Sequence, residues 1–142
     1  PRVELVIQDG RAFLEDQSGS NYDLVIVDVT GSSGPGEPLF TEEFYNLVMV
    51  RLTPDGLMVS QIEPPGLDSD VFMGTINRQR DVFGPDRVFC YLAFLTTFTP
   101  GMVSFSLASK SGLDPVRDFK GIRIRARRQF GVILHRPGGQ CL

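Results

Sequence analysis

The run Leu24-Val25-Ile26-Val27 is the feature that most limits how this chain can fold. All four residues are apolar, no polar residue alternates with them, and Asp28 follows directly. A strand with one solvated face alternates polar and apolar residues, so an unbroken apolar run is typical of a parallel sheet with helices on both faces. We therefore predict an α/β fold in which helices lie between the strands.

Short apolar runs bounded by turn residues predict the strands, and capped segments between them predict the helices. The strand candidates are Val3 to Ile7, Asp23 to Asp28, Leu57 to Ile62, Val88 to Leu95 and Met102 to Ser109. The helix candidates are Arg11 to Asp16, a helix capped by Thr41 and ended by the turn Pro54-Asp55-Gly56, and a helix from Ser69 to about Phe83. The last two strands are expected to form a hairpin-like pair.

Length and composition indicate one soluble domain, since 142 residues of which 42% are hydrophobic can bury a single core. No apolar run approaches the roughly 20 residues that a membrane helix needs, so we expect a cytoplasmic protein without a membrane partner. Cys90 and Cys141 lie far apart, and His135 is the only histidine. We accordingly predict no disulfide framework and no metal site.

The net charge of -3 divides unevenly along the chain. Residues 1–116 carry 7 basic and 16 acidic side chains, whereas residues 117–142 carry 7 basic and 1 acidic. The acidic body would repel nucleic acid and attract small cations. We predict one folded domain over residues 1–115 and a basic tail over residues 116–142, to which we assign no helix or strand.

Three polar residues stand at the ends of apolar runs: Asp9 comes after Val3 to Ile7, Asp28 caps Leu24 to Val27, and Gln61 closes Leu57 to Ser60. Ligands bind at the carboxyl ends of the strands in an open parallel sheet, so these side chains would meet at one edge. Each residue alone also fits an ordinary turn or helix cap. Their joint placement favours a binding site over three separate caps.

The loop after Asp28 contains Gly31, Gly34 and Gly36, but neither the dinucleotide pattern G-x-G-x-x-G nor the lysine of a phosphate loop. Phosphate binding is therefore disfavoured. A long segment rich in glycine, proline and serine at the end of a strand can be a lid over a small ligand or a plain connection.

Three segments in fixed order resemble the spermidine synthase family of polyamine aminopropyltransferases, over about residues 1 to 110. The segments are Asp9-Gly10-Arg11-Ala12-Phe13-Leu14, Asp23 to Asp28, and Gly34-Pro35-Gly36-Glu37-Pro38-Leu39-Phe40-Thr41-Glu42-Glu43-Phe44-Tyr45. The resemblance implies a methyltransferase-like Rossmann fold, with a mostly parallel sheet and an antiparallel last strand. It also implies that this chain is the carboxyl-terminal part of the catalytic domain, without the first βαβ unit of the family, and that the chain alone has low activity.

The family transfers the aminopropyl group of decarboxylated S-adenosylmethionine to putrescine or a longer polyamine and releases methylthioadenosine. By resemblance, this co-substrate is used without any tightly bound cofactor. The resemblance also implies that Asp28 is the catalytic aspartate, whose carboxylate accepts a proton from the attacking amine. The residues matched to the nucleoside side are Asp9, Gly10, Pro35, Gly36 and Leu39. The residues matched to the acceptor amine are Asp28, Thr30, Gly31, Gln61 and Phe98.

Two positions depart from the family pattern. Gly31 stands where the family commonly has a second aspartate, and Phe98 stands where it commonly has a tyrosine. Both changes remove polar contacts to the acceptor, so the identity of the amine stays open. Two other functions also stay open, an S-adenosylmethionine-dependent methyltransferase and a non-catalytic structural paralogue, and association into a homo-oligomer is a further expectation.

Overall fold

The computed structural model describes residues 3–16, 21–29, 34–96, 101–118 and 130–134. The strands are β1 (Val3–Ile7), β2 (Tyr22–Val27), β3 (Leu52–Ile62), β4 (Val88–Phe94), β5 (Met102–Ser109) and β6 (Phe130–Leu134). The helices are α1 (Gly10–Asp16), α2 (Glu42–Arg51) and α3 (Ser69–Phe83), with short 3₁₀ helices at Gly34–Phe40 and Pro85–Arg87. No helix in these ranges is long and apolar enough to cross a membrane.

Four strands form one mixed sheet in the order β2-β3-β5-β4. β2 pairs with β3 in parallel, and β5 lies antiparallel to both β3 and β4. β2, β3 and β4 therefore run in the same direction, and β5, the last of the five predicted strands, runs against them. This arrangement confirms the predicted α/β sheet with an antiparallel last strand.

β1 does not join the four-stranded sheet, contrary to the prediction that all the early strands share one edge. It pairs in parallel with β6, with Val3 opposite Phe130 and Ile7 opposite Leu134. The tail, where we assigned no strand, thus supplies the partner of β1. The partner was missed because pairing between strands so far apart in sequence leaves no local signal.

The core lies between the helices and one face of the four-stranded sheet. Met58 and Ala108 lie on this face and pack with buried residues of α2 and α3, including Val48 and Ile76. Leu24 and Ile26 on β2 point to the opposite face and stay 44% and 66% exposed. The predicted burial of residues 24–27 on both faces is therefore wrong, and only Val27 is fully buried.

The join between α2 and β3 differs from the predicted turn. α2 ends at Arg51 and β3 begins at once with Leu52, so Pro54, Asp55 and Gly56 lie within the strand as an irregularity opposite Asp23. A Cβ on Gly56 would lie 2.9 Å from the Leu52 Cβ, so the close approach requires glycine. The other boundaries follow the predictions to within one residue.

Four buried polar side chains lie where α2 and α3 cover the sheet: Tyr45, Thr75, Gln79 and Ser106. Each is fully buried, and the Tyr45 hydroxyl, the Thr75 and Ser106 hydroxyls and the Gln79 amide have no hydrogen-bond partner among the described residues. Burial raises the pKa of Tyr45 to about 12, against a smaller opposing influence from the nearby Gln79 side chain. The neutral phenol is therefore the form that the fold accommodates.

We predict that the folded state loses stability as the pH rises from 10 to about 12, because the Tyr45 phenol ionises at pH 10 only in the unfolded chain. Tyr45→Phe removes the contribution of Tyr45 to this loss of folding stability, which is on the order of 2 kcal/mol. Urea unfolding of both proteins across this range measures the difference, and Tyr91→Phe is the control because Tyr91 is 46% exposed. Parallel stability curves for wild type and Tyr45→Phe would contradict the prediction.

Candidate functional site

Asp28 and Gln61 lie side by side at the carboxyl ends of two neighbouring parallel strands. Val27 of β2 is in register with Ser60 of β3, so the residues that follow them in the two strands, Asp28 and Gln61, are neighbours. Neighbouring strands lie about 4.8 Å apart, which brings the two side chains within reach of one small ligand. Asp28 is exposed and Gln61 is half-buried.

Asp28 has no structural task among the described residues. Its side chain makes no hydrogen bond there, although an aspartate at the end of a strand often caps the following helix. The ordinary explanation that applied to Asp28 from sequence alone is therefore unsupported in these ranges. An exposed carboxylate beside an amide is an arrangement that can accept hydrogen bonds from a cationic amine.

The pairing of β3 with β5 extends this row across the sheet to residues that the sequence did not single out as site residues. Gln61 is opposite Phe105, and Phe105 is opposite Tyr91 on β4. The two rings stack, with centroids 5.2 Å apart and planes 18° apart. No sequence signal could have placed these aromatics beside Gln61, because the row exists only through the register of three strands.

Glu63 is a second acid at the same edge, which the sequence analysis did not single out. It directly follows β3 and is half-buried. The buried Ser104 hydroxyl donates its proton toward the backbone oxygens of Ile62 and Glu63, at 2.9 and 2.8 Å, and so fixes this end of β3. The same signal that selected Asp28, a polar residue just past an apolar strand, would have found Glu63.

Asp9 belongs to a different arrangement from Asp28 and Gln61, since β1 is not hydrogen-bonded to the four-stranded sheet. The Ala12 N–H donates to Asp9 Oδ1 at 2.9 Å, and the Phe13 N–H donates to the Asp9 carbonyl at 2.9 Å. Asp9 thus caps α1, which Gly10 begins as a buried residue. The ordinary capping explanation holds for this residue, and a nucleoside contact would be a second role for the same carboxylate.

Arg51 fixes the other end of α1. Its Nε donates to the Leu14 carbonyl at 2.9 Å, and its Nη2 donates to the Glu15 carbonyl at 3.3 Å. A guanidinium at the end of a helix satisfies carbonyls that lack partners in the helix. Because Arg51 is also the last residue of α2, this contact holds α1, and with it Asp9, against the neighbouring helix.

The predicted lid segment is a 3₁₀ helix from Gly34 to Phe40 rather than an open loop. Leu39 and Phe40 are buried in the core, 4% and 3% exposed, whereas Gly36 is half-buried. Leu39 therefore anchors the segment to the core, and any contact with a nucleoside would be made from this fixed position. The side chain of Pro35, together with Thr30, Gly31, Phe98 and His135, lies outside what the structure describes.

The segment leads directly into a well-capped helix. The Phe44 N–H donates to the Thr41 hydroxyl at 3.3 Å, as the sequence predicted, and Glu42 and Glu43 occupy the first turn. The backbone N–H of Glu43 and the Thr41 hydroxyl hold the pKa of the Glu43 carboxyl below its usual value. The start of α2 is thus negatively charged, which complements the positive end of its dipole.

The chain is similar to known proteins over most of its length. Residues 1–119 match the spermine/spermidine synthase domain family. The polyamine aminopropyltransferase of Thermotoga maritima is 38% identical over 126 residues, which cover 88% of this chain and 41% of that protein. Spermidine synthase 2 of Arabidopsis thaliana is 35% identical over 120 residues, covering 84% and 34%. A crystal structure of spermidine synthase in complex with the transition state analogue AdoDATO has a TM-score of 0.77 at 34% identity, covering 95% of this chain and 45% of that one.

The sheet and its structural neighbours define a methyltransferase-like Rossmann fold, as predicted. The chain belongs to the spermine/spermidine synthase family, which confirms the resemblance drawn from its motifs. It spans less than half the length of the curated relatives named above.

We predict that Asp9→Ala lowers the free energy of unfolding by about 1 kcal/mol, because it removes the cap of α1, while Asp9→Asn keeps an acceptor oxygen and loses little. Urea denaturation of the two variants measures the difference. Equal losses in both would show that the charge, rather than the cap, is what stabilises α1. If Asp9→Asn retains its stability as expected, it is the variant suited to testing a ligand contact at this position.

Proposed function

We propose that this chain supplies the catalytic carboxylate and the acceptor-binding residues of a polyamine aminopropyltransferase. The reaction moves the aminopropyl group of decarboxylated S-adenosylmethionine to putrescine or a longer polyamine. The observation that carries the proposal is the pairing of Asp28 with Gln61 at adjoining strand ends, with no described residue engaging the Asp28 carboxylate. Membership of the spermine/spermidine synthase family supplies the reaction class.

The chemistry explains why a carboxylate is needed there. An alkyl amine has a pKa near that of lysine, about 10, and its ammonium form has no lone pair for attack. Asp28 accepts a proton from the amine, and the nitrogen lone pair then forms a bond to the methylene carbon next to the sulfonium. The carbon–sulfur bond breaks, sulfur keeps the electron pair, and methylthioadenosine leaves. A positioned general base contributes roughly 10² to 10⁴ in rate.

The acceptor amine is assigned to the row that begins with Asp28 and Gln61. Glu63 adds a second carboxylate at the same edge. Residues 1–116 carry 16 acidic against 7 basic side chains, which raises the local concentration of a polycation. Thr30, Gly31 and Phe98 are assigned to the acceptor by resemblance alone. Because Gly31 and Phe98 lack the polar groups that the family commonly has at these positions, the identity of the amine is to be measured.

The nucleoside side is assigned to Asp9, Gly10, Pro35, Gly36 and Leu39. The cap of α1 and the anchoring of Leu39 support this assignment because both hold their segments in one position before a ligand arrives. Residues 1–115 act as the catalytic unit, in a cytoplasmic protein that assembles from identical subunits. The free thiol of Cys90 supports a cytoplasmic location. The exposed apolar residues of β4 support assembly from identical subunits.

We predict that Asp28→Asn lowers turnover at least about 10²-fold. The assay uses a chimaera in which this chain replaces the matching part of the Thermotoga maritima relative. The mass of the amine product is followed with decarboxylated S-adenosylmethionine and putrescine. Asp23→Asn is the matched control, because Asp23 lies at the opposite end of the same strand and accepts a hydrogen bond from Thr53 that asparagine can keep.

An unchanged rate in Asp28→Asn would sink the assignment of the base. An amine that gains a methyl group from S-adenosylmethionine, instead of an aminopropyl group, would overturn the reaction class itself. The two failures are distinguishable because the first concerns one residue and the second concerns the product.

We also predict that Gln61→Leu raises the KM for the amine about tenfold and changes kcat less, since a hydrogen bond to a charged group is worth roughly 1.5 kcal/mol or more. Gln61→Glu keeps an acceptor oxygen and serves as the control. Steady-state kinetics in the same chimaera separate the two parameters. A KM for the amine that stays at the wild-type value would remove Gln61 from the acceptor site.

A further inference from the structure

A serine on the neighbouring strand holds the end of β3. Ser104 of β5 lies opposite Ile62, the last residue of β3, and the pairing of the two strands ends there. Because β5 lies between β3 and β4, the backbone of Ser104 is held on both sides. Its hydroxyl is fully buried and shares one proton between the carbonyls of Ile62 and Glu63, at 2.9 and 2.8 Å. The side chain thus extends the hydrogen bonding of the sheet one residue beyond the last backbone pair.

The residues after Glu63 make this contact important for its position. Pro64 and Pro65 follow Glu63, and neither has an N–H group with which to continue the pairing. A residue before proline is also confined to extended backbone conformations. The Leu67 N–H donates to the Pro64 carbonyl at 3.0 Å and closes a turn directly beyond. The backbone of Glu63 is therefore held by Ser104 on one side and by a stiff turn on the other.

An ordinary explanation for the Ser104 contact is that a buried hydroxyl needs an acceptor. Ser106, two residues further along β5 on the same face, is equally buried, yet its hydroxyl has no partner among the described residues. Burial alone therefore does not give a serine of this strand such a bond. The Ser60 hydroxyl also reaches the end of β3, donating to the Gln61 carbonyl at 3.2 Å. Serine hydroxyls thus engage the carbonyls of three successive residues, 61–63.

We propose that Ser104 is a positioning residue for the acceptor amine, whose hydroxyl fixes the backbone of Glu63 and thereby the place of the Glu63 carboxylate. This role rests on the proposed function, because that function assigns Glu63 to the acceptor site. Ser104 is fully buried and acts through Glu63 rather than on the substrate. Without the hydroxyl, two carbonyls lose a donor and the carboxylate is held less firmly. The binding of the amine should suffer, while proton transfer to Asp28 should not.

Steady-state kinetics of Ser104→Ala, in the chimaera with the Thermotoga maritima relative, test this role. The KM for the amine should rise about fivefold, the usual effect of losing one hydrogen bond, with kcat and the KM for decarboxylated S-adenosylmethionine near their wild-type values. Ser104→Cys fills the same space with a weak donor and should raise the KM for the amine in the same direction. Ser106→Ala is the matched control, since it removes an equally buried hydroxyl from the same strand and should change neither parameter. Circular dichroism establishes that each variant is folded.

A double-mutant cycle separates positioning from general stabilisation. Glu63→Gln alone should raise the KM for the amine about tenfold, because it removes a charge that accepts hydrogen bonds from an ammonium. Adding Ser104→Ala to Glu63→Gln should raise this KM little further, since the carboxylate that Ser104 positions is already absent. Independent effects would instead multiply.

Three results would each overturn the role of Ser104: an unchanged KM for the amine in Ser104→Ala, an equal rise in Ser106→Ala, or a full fivefold effect in the Glu63→Gln background. Each of them leaves the proposed function standing. A wild-type chimaera that transfers no aminopropyl group would overturn the proposed function and the role of Ser104 with it. The two kinds of failure are therefore read from different measurements, the product mass and the KM.

Discussion

The parallel pairing of β2 with β3 is the interaction on which the rest of this molecule depends. It fixes the register that sets Asp28 beside Gln61, and it turns Met58 and Val27 toward the helices. A slip of one residue would exchange the two faces of a strand, so the apolar side chains under α2 and α3 lock the register. The position of the candidate site is thus a consequence of how the core packs.

Two helix-end contacts hold α1, and with it the proposed nucleoside contact of Asp9, in a fixed position. Asp9 caps the beginning of α1, and Arg51 satisfies the carbonyls at its end while forming the last residue of α2. α1 has only seven residues and would be unstable alone. Its orientation therefore depends on tertiary contacts, and the same holds for any ligand group that Asp9 would receive.

The sheet is asymmetric in what it leaves exposed. Helices cover one face of the sheet and enclose the core. Within the described ranges, Leu24, Ile26 and several residues of β4 retain large accessible areas. Burying such surface provides the main driving force of association. Between α2, α3 and the sheet, by contrast, the polar side chains of Tyr45 and Gln79 are fully buried.

The sequence by itself determined the order of the first five strands and the three α-helices, the family and the polar residues at strand ends, because apolar periodicity, caps and ordered motifs are local properties of the chain. It even contained the signal for Glu63. Only the tertiary structure decided that β1 pairs with β6, that Leu24 and Ile26 stay exposed, and that Gln61 continues into Phe105 and Tyr91. These features arise from pairing between residues distant in sequence, and the free energy of such pairing depends on packing partners that no local pattern specifies.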